Sequence, residues 1–243
     1  MDVLIVSGTG TEIGKTVTTA AVAAAAVRQG RSVAVLKPAQ TGVAPGESGD
    51  VDEVARLAGD RVTPVELARF PEPLAPATAA ARAGLVPVRP DEVAEAARKL
   101  SASHDLVLVE GAGGLLVHLD ADGATLADVA LLLDAPVLVV AAAGLGTLNS
   151  VQLTAEALRA RGLRQAGVLI GSWPDAPGLA ERCNVADLPV VAKAPLLGAV
   201  PAGAGRLAPG AFRAAAGEWL APRLGGVWDA ERFARQERAP GFA

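Results

Sequence analysis

Gly8-Thr9-Gly10-Thr11-Glu12-Ile13-Gly14-Lys15-Thr16 stands between an apolar stretch, Val3-Leu4-Ile5-Val6, and a helix-like run from Val17 to Arg28. Strand, glycine-rich loop, Lys-Thr and helix is the order in which backbone amides can curl around a phosphate. Glycines let consecutive N–H groups point at one anion, and the helix N-terminus adds its partial positive charge. In this reading Lys15 reaches the outer phosphates and the Thr16 hydroxyl ligates Mg²⁺. Five residues, rather than the usual four, separate Gly8 from Gly14, so the loop is one residue longer than the common form.

Outward from the loop, short apolar runs alternate with helix-like stretches. Strands are expected at 3–7, 33–37, 105–110, 136–141, 166–171 and 197–200. Helices are expected at 15–29, 50–58, 90–101, 125–133, 147–161 and 210–221. The strand candidates are near-continuous Val/Leu/Ile/Ala runs, as parallel strands covered on both faces require. Alternation of this kind implies an α/β fold: an open, mostly parallel sheet with helices on both faces and ligands beyond the strands' carboxyl ends. The loop 38–49, rich in Gly, Pro and Ser, falls on that ligand side. Segment 70–89, proline-bearing and without a clear period, reads as an irregular excursion, a lid or a subunit contact. One domain is expected over residues 1–224, followed by a charged tail, 225–243, with loose final residues.

The 243 residues carry a net charge of −4, which argues against nucleic acid as the main partner. A single cysteine, Cys183, rules out an intrachain disulfide and fits a reducing compartment. With only His104 and His118, Cys-His metal clusters are excluded, and both histidines read as surface or satisfied core residues. The apolar run 17–27 is too short to span a bilayer and has no basic leader, so a cytoplasmic protein away from membranes is expected. Lysine is scarce: Lys15, Lys37, Lys99 and Lys193 stand against eighteen arginines. Keeping lysine at two motif positions suggests that those positions call for a compact ammonium.

Further constellations carry chemistry. Leu106-Val107-Leu108-Val109-Glu110-Gly111-Ala112-Gly113-Gly114 is a buried strand ending in a carboxylate at the ligand edge, where an acid can bind Mg²⁺ directly or through water. Lys37-Pro38-Ala39-Gln40-Thr41-Gly42 ends the second strand, and Lys37 there is either a stabiliser of phosphoryl charge or a snorkelling surface lysine. Asp50 and Asp52 open the next helix; each is either a helix cap or a second Mg²⁺ carboxylate. Gly144-Leu145-Gly146-Thr147-Leu148-Asn149 begins a helix whose free amides could hold a substrate carboxylate, or is a plain turn capped by Thr147. Cys183, with no histidine nearby in the sequence, reads as an inert thiol.

Together these motifs resemble the dethiobiotin synthetase family, over roughly the first 200 residues. That family is recognised by G-T-x-T-x-V-G-K-T, K-P-x-x-[ST]-G, E-G-A-G-G and G-x-x-N. Here they read Gly8–Thr16 with Ile13 for the usual Val, Lys37–Gly42, Glu110–Gly114 and Gly146–Asn149. The long loop is the family's own form. The resemblance implies a fold like that of P-loop NTPases and a homodimer with its active site at the subunit interface. It implies a ligase that joins 7,8-diaminononanoate and CO₂ into the ureido ring of dethiobiotin, driven by ATP or another nucleoside triphosphate with Mg²⁺. Lys37, Lys15 and Thr11 are the catalytic candidates it implies. Thr16, Asp50 and Glu110 are the metal ligands, Asp50 being preferred to Asp52. The nucleotide is expected on Glu12, Ile13, Gly14, Lys15, Thr16, Val17, Asp50, Glu110, Gly111, Ala112, Gly113, Gly171, Ser172, Pro201, Ala202 and Gly203. The diamine is expected on Thr41, Gly144, Thr147, Leu148 and Asn149, the last three from the partner subunit.

Two features depart from a simple match. Glu12 puts a carboxylate inside a phosphate loop, where it must face Mg²⁺, a substrate ammonium or solvent. Where the family often has an Asn-Asp pair that reads adenine, this chain has Gly171-Ser172, so base recognition is expected from backbone groups around Pro201–Gly203, with weaker selectivity for ATP. Two other readings compete. A cobyrinic acid amidating synthase would need a glutaminase domain for which this chain is too short. A partitioning-type ATPase switch would carry a signature lysine where Gly10 stands.

Overall fold

A computed structural model describes residues 2–237. Its strands are β1 (Asp2–Gly8), β2 (Val33–Thr41), β3 (Val62–Phe70), β4 (Leu106–Gly114), β5 (Val137–Ala141), β6 (Gln165–Trp173) and β7 (Leu196–Pro201). Its α-helices are α1 (Lys15–Arg28), α2 (Asp50–Ala58), α3 (Pro76–Ala83), α4 (Pro90–Ser101), α5 (Leu126–Leu133), α6 (Thr147–Ala160), α7 (Leu179–Ala192), α8 (Pro209–Ala215) and α9 (Ala230–Glu237).

All seven strands form one parallel sheet in the order β3-β2-β4-β1-β5-β6-β7. Period-two alternation divides each central strand between two cores. Leu4, Val33, Val35, Leu106 and Leu108 pack with the alanine run of α1, with α2 and with α7. Ile5, Ala34, Leu36, Val107 and Val109 pack on the opposite face with α3, α4 and α5. The small side chains of Ala20 to Ala26, all nearly or fully buried, fit α1 closely against the sheet. Both faces are thus covered, as the expected open α/β architecture requires.

The structure corrects the expected elements in four places. β3 escaped the sequence reading because it is an edge strand: Pro64 and the half-exposed Glu66 and Arg69 break the apolar run, and an edge tolerates proline. α7 was hidden by Pro189 inside the helix. Segment 70–89, expected to be irregular, contains α3, with Pro76 in its first turn where proline needs no donor. The helix expected over 210–221 stops at Ala215 and continues as a 3₁₀ turn over Ala216–Trp219.

Beyond residue 225, Trp228 is buried and Phe233 of α9 meets Trp173 edge-on, with ring centroids 5.1 Å apart. The final residues expected to be loose lie outside the described residues. Among the described residues no helix is long and apolar enough to cross a membrane.

Candidate active site

The phosphate loop leaves β1 at the centre of the sheet and turns into α1 through Gly14, whose φ of 91° is a left-handed conformation that favours glycine. Gly14 has a second requirement. A Cβ there would stand 2.1 Å from the Gly171 carbonyl oxygen, and a Cβ on Gly171 would stand 2.0 Å from the Ile13 oxygen. The loop therefore rests backbone-to-backbone on the end of β6. On its other flank Thr9 N–H donates to the Val140 carbonyl of β5 at 3.0 Å. Glu12 also has positive φ, 57°, and its side chain is exposed.

Lys15, Thr16, Lys37, Asp50 and Glu110, distant in sequence, come together above β1, β2 and β4. The Thr16 hydroxyl donates to Glu110 Oε1 at 2.9 Å. Lys37 Nζ donates to the same oxygen at 2.9 Å and to the Gly111 carbonyl at 3.2 Å, and pairs with Asp50 Oδ2 at 2.5 Å. Lys37 and Glu110 are almost wholly buried, with side chains 3% and 1% exposed. Lys37 is thus an interior ion-pair residue and not a surface lysine. Burial would pull its ammonium down, but Glu110 and Asp50 outweigh that and hold its pKa above the ordinary lysine value. Lys15 shifts the other way: burial and then the neighbouring Lys37 charge lower it, against the pull of Glu110 and Asp50. Its Nζ donates to the Gly10 carbonyl at 2.7 Å.

The two acids of α2 separate cleanly. Asp52 Oδ2 accepts the Gly49 N–H at 2.8 Å and caps the helix. Asp50 instead turns to Lys37. A residue that the sequence reading missed fixes this arrangement: Gln40, 4% exposed, accepts the Asp50 N–H on its Oε1 at 2.8 Å. Gln40→Leu removes that acceptor and leaves the amide unmatched. It should destabilise the fold by about 1–2 kcal/mol and raise the metal concentration needed for half-maximal activity, as thermal melts and a metal titration would show.

The donor set suits a hard cation. Thr16 supplies a hydroxyl, Asp50 a half-exposed carboxylate and Glu110 a second carboxylate. Glu110 Oε2 is buried without a hydrogen-bond partner. Among the described residues no three acidic, His or Cys side chains are grouped so that they could hold a metal ion by themselves. One or two carboxylates, completed by phosphate oxygens and water, is the usual environment of Mg²⁺.

Lys15, Thr16, Lys37 and Asp50 line a cleft of about 520 Å³ together with Thr11, Glu12, Gly14, Val17, Gln40, Thr41, Val43, Ala112 and Gly113, whereas the buried Glu110 is not on its lining. A larger groove, about 780 Å³, runs under the amino ends of β1, β4 and β6, lined by Val3, Leu106 and Gln165 among others. It lies at the wrong end of a parallel sheet for ligand binding and holds none of the loop's amides. Several expected site residues fall outside the cleft. Ile13 of the loop rests on Gly171, Ser172 is exposed at the end of β6, and Pro201 ends β7 with Ala202 and Gly203 following it, where Ala202 N–H donates to the Trp173 carbonyl at 2.7 Å. Gly111 packs against Leu126.

Gly144, Thr147, Leu148 and Asn149 form a separate turn after β5. Asn184 of α7 holds it by donating to the carbonyls of Ala143 and Gly144 at 2.7 and 3.1 Å. Thr147 is buried and Leu145 is 95% exposed. This turn does not line the loop's cleft within the same chain. Cys183 is half-buried in α7, and His104 bonds Thr63 and the Leu100 carbonyl at the surface.

A family model described as "AAA domain" matches residues 2–205. The ATP-dependent dethiobiotin synthetase of Streptomyces avermitilis is 72% identical over 234 residues, covering 96% of this chain and 98% of its own length. That of Rhodococcus jostii is 63% identical over 220 residues, 90% and 95% of the two chains. That of Mycobacteroides abscessus is 52% identical over 213 residues, 87% and 92%. Among solved structures, the MinC:MinD cell division complex of Aquifex aeolicus aligns with a TM-score of 0.57 at 14% identity, covering 100% of this chain and 99% of that one. The ParA family ATPase of Chlorobium tepidum aligns at 0.56 and 12%, covering 87% and 89%. At such identities these neighbours share the fold.

Proposed function

The chain belongs to the ATP-dependent dethiobiotin synthetase family and is an enzyme of that family, and from that premise we propose that it converts 7,8-diaminononanoate, CO₂ and ATP to dethiobiotin, ADP and phosphate. The observation that carries the reading is the buried Lys37 ammonium, held between Asp50 and Glu110 beside the phosphate loop. It lines the cleft together with Thr41, Val43 and Ala112, and we take their side of it as the acceptor's.

In the proposed reaction one amine of the substrate takes up CO₂ and loses a proton, giving a carbamate. A carbamate oxygen then attacks the γ-phosphorus, and ADP leaves. The second amine attacks the carbonyl of the mixed anhydride, phosphate departs and the ring closes. The carbamate and the triphosphate are both anions, so the central task is to bring like charges together. Lys15 and Lys37 do this by neutralising the outer phosphate oxygens and the incoming carbamate. Loop amides from Glu12 to Thr16 bind the phosphate chain, with the α1 N-terminus adding positive potential. Thr11 flanks the transferred group, and Thr41 offers a hydroxyl to the carbamate or diamine. Mg²⁺, held by Thr16, Asp50 and Glu110, would neutralise charge on the phosphates. Glu12, exposed on the rim of the cleft, faces solvent or the diamine. The 144–149 turn binds the distant carboxylate of the diamine from a second subunit, which accounts for its separation from the loop in one chain. Gly10, standing where a partitioning ATPase carries its signature lysine, also supports the synthetase reading.

The test is product formation. Dethiobiotin should appear only when diaminononanoate, bicarbonate, ATP and a divalent cation are all present; ATP hydrolysis independent of the diamine and stimulated by DNA would overturn the reading. Glu110→Gln, which keeps shape but removes a charge, should raise the half-saturating Mg²⁺ concentration by roughly tenfold or more. An unchanged metal titration would take Glu110 out of the site.

A further inference from the structure

Lys37 occupies one oxygen of each of the two acids that would ligate a divalent cation. Its ammonium is 2.5 Å from Asp50 Oδ2 and 2.9 Å from Glu110 Oε1, and the Gly111 carbonyl holds its third side. A cation on Thr16, Asp50 and Glu110 competes for charge with an ammonium already paired to one oxygen of each of the same two carboxylates. A divalent ion on the remaining oxygens, Glu110 Oε2 and Asp50 Oδ1, would face the Lys37 charge across both carboxylates. Lys15 adds a second positive charge nearby. A free cation therefore meets a site whose negative charge is already matched. An anion that draws Lys37 towards itself releases both acids at once, and Lys37 lines the same cleft as the phosphate-loop residues Lys15 and Thr16.

We propose that Lys37 acts as an internal counter-ion that keeps the cation site closed to free divalent metal and opens it only when a triphosphate takes over the ammonium. Metal and nucleotide then enter as a coupled pair, each raising affinity for the other. The same lysine that later neutralises the transferred phosphoryl group thereby makes loading of the cation conditional on the correct anion. This rests on the assignment of Thr16, Asp50 and Glu110 as the cation's ligands.

The experiment is Mn²⁺ binding to the full chain, by electron paramagnetic resonance, with and without a non-hydrolysable ATP analogue. Without nucleotide, Lys37→Met should bind Mn²⁺ at least tenfold more tightly than wild type, and Lys37→Arg should stay as weak as wild type. With the analogue bound, the gap between wild type and Lys37→Met should narrow. Equal or weaker nucleotide-free binding by Lys37→Met would overturn the proposal. Adding Asp50→Asn to Lys37→Met should abolish the gain; a gain that survives would show the ligand assignment to be at fault, apart from any question of catalysis. If Lys37→Met does not fold, ¹⁵N-lysine spectra of the wild type decide. Magnesium chloride alone should leave the Lys37 ammonium signal unmoved and the analogue alone should shift it. A shift with magnesium equal to that with the analogue would refute the proposal.

Discussion

Lys37→Ala should lower the turnover of dethiobiotin formation by roughly 10³-fold or more while changing the apparent affinity for ATP only a few-fold. Removing one charged donor aimed at a developing transition-state charge costs about 10²–10³, and more when the group carries a full charge onto a phosphoryl oxygen. ATP keeps the loop amides, Lys15 and the helix terminus, so binding survives. The substitution also strands two carboxylates, Asp50 and the buried Glu110, which costs on the order of 3 kcal/mol of stability. Turnover should therefore be measured well below the variant's melting temperature, beside Lys37→Arg, which keeps the charge. Turnover of the alanine variant within tenfold of wild type would make Lys37 a structural ion-pair residue only.

Gly171→Ala should be among the most damaging single-methyl changes in the chain's nucleotide apparatus. The new Cβ would stand 2.0 Å from the Ile13 oxygen and 2.6 Å from Val140 Cγ1, and the first of these is backbone that cannot rotate away. Either β6 or the phosphate loop must shift. We expect a loss of stability of about 2–3 kcal/mol, as for overpacked cores, and ATP binding weakened by roughly 100-fold because the loop's amides no longer converge. Calorimetric titration with ATP and thermal melts would measure both. Gly210→Ala, with no atom within 4 Å of its added Cβ, is the control and should match wild type. Unchanged ATP affinity in Gly171→Ala would show that the loop does not depend on the end of β6.

What the sequence made legible, and what it did not, follows from how local each signal is. The phosphate loop, its strand and its helix are written contiguously between residues 3 and 28, and the Glu110 strand carries its acid at the end of an unbroken apolar run. Both therefore appear where they were expected. Lys37 could not be told from a surface lysine until Asp50 and Glu110 were seen around it, because those contacts span 13 and 73 residues. The choice between Asp50 and Asp52 likewise needed three dimensions: both sit in the first turn of α2, and only one turns inward. Gln40 occupies a variable position of its motif, so nothing local announces that it fixes Asp50. Gly171 reads in sequence as the loss of a base-binding side chain. In three dimensions its lack of a side chain is what lets β6 support the loop. β3 and α7 were obscured by Pro64 and Pro189, which an edge strand and the last turns of a packed helix can each accommodate.

The central claim is that this cleft phosphorylates a carbamate. Transfer of ¹⁸O tests it most directly. Freshly mixed ¹⁸O-labelled bicarbonate, unlabelled ATP, Mg²⁺ and diaminononanoate are turned over briefly, and the released phosphate is analysed by mass spectrometry. If a carbamate oxygen attacks the γ-phosphorus and leaves with it, each phosphate formed with dethiobiotin carries one ¹⁸O from bicarbonate. Phosphate that carries oxygen from solvent alone, at the same yield of dethiobiotin, would contradict the account.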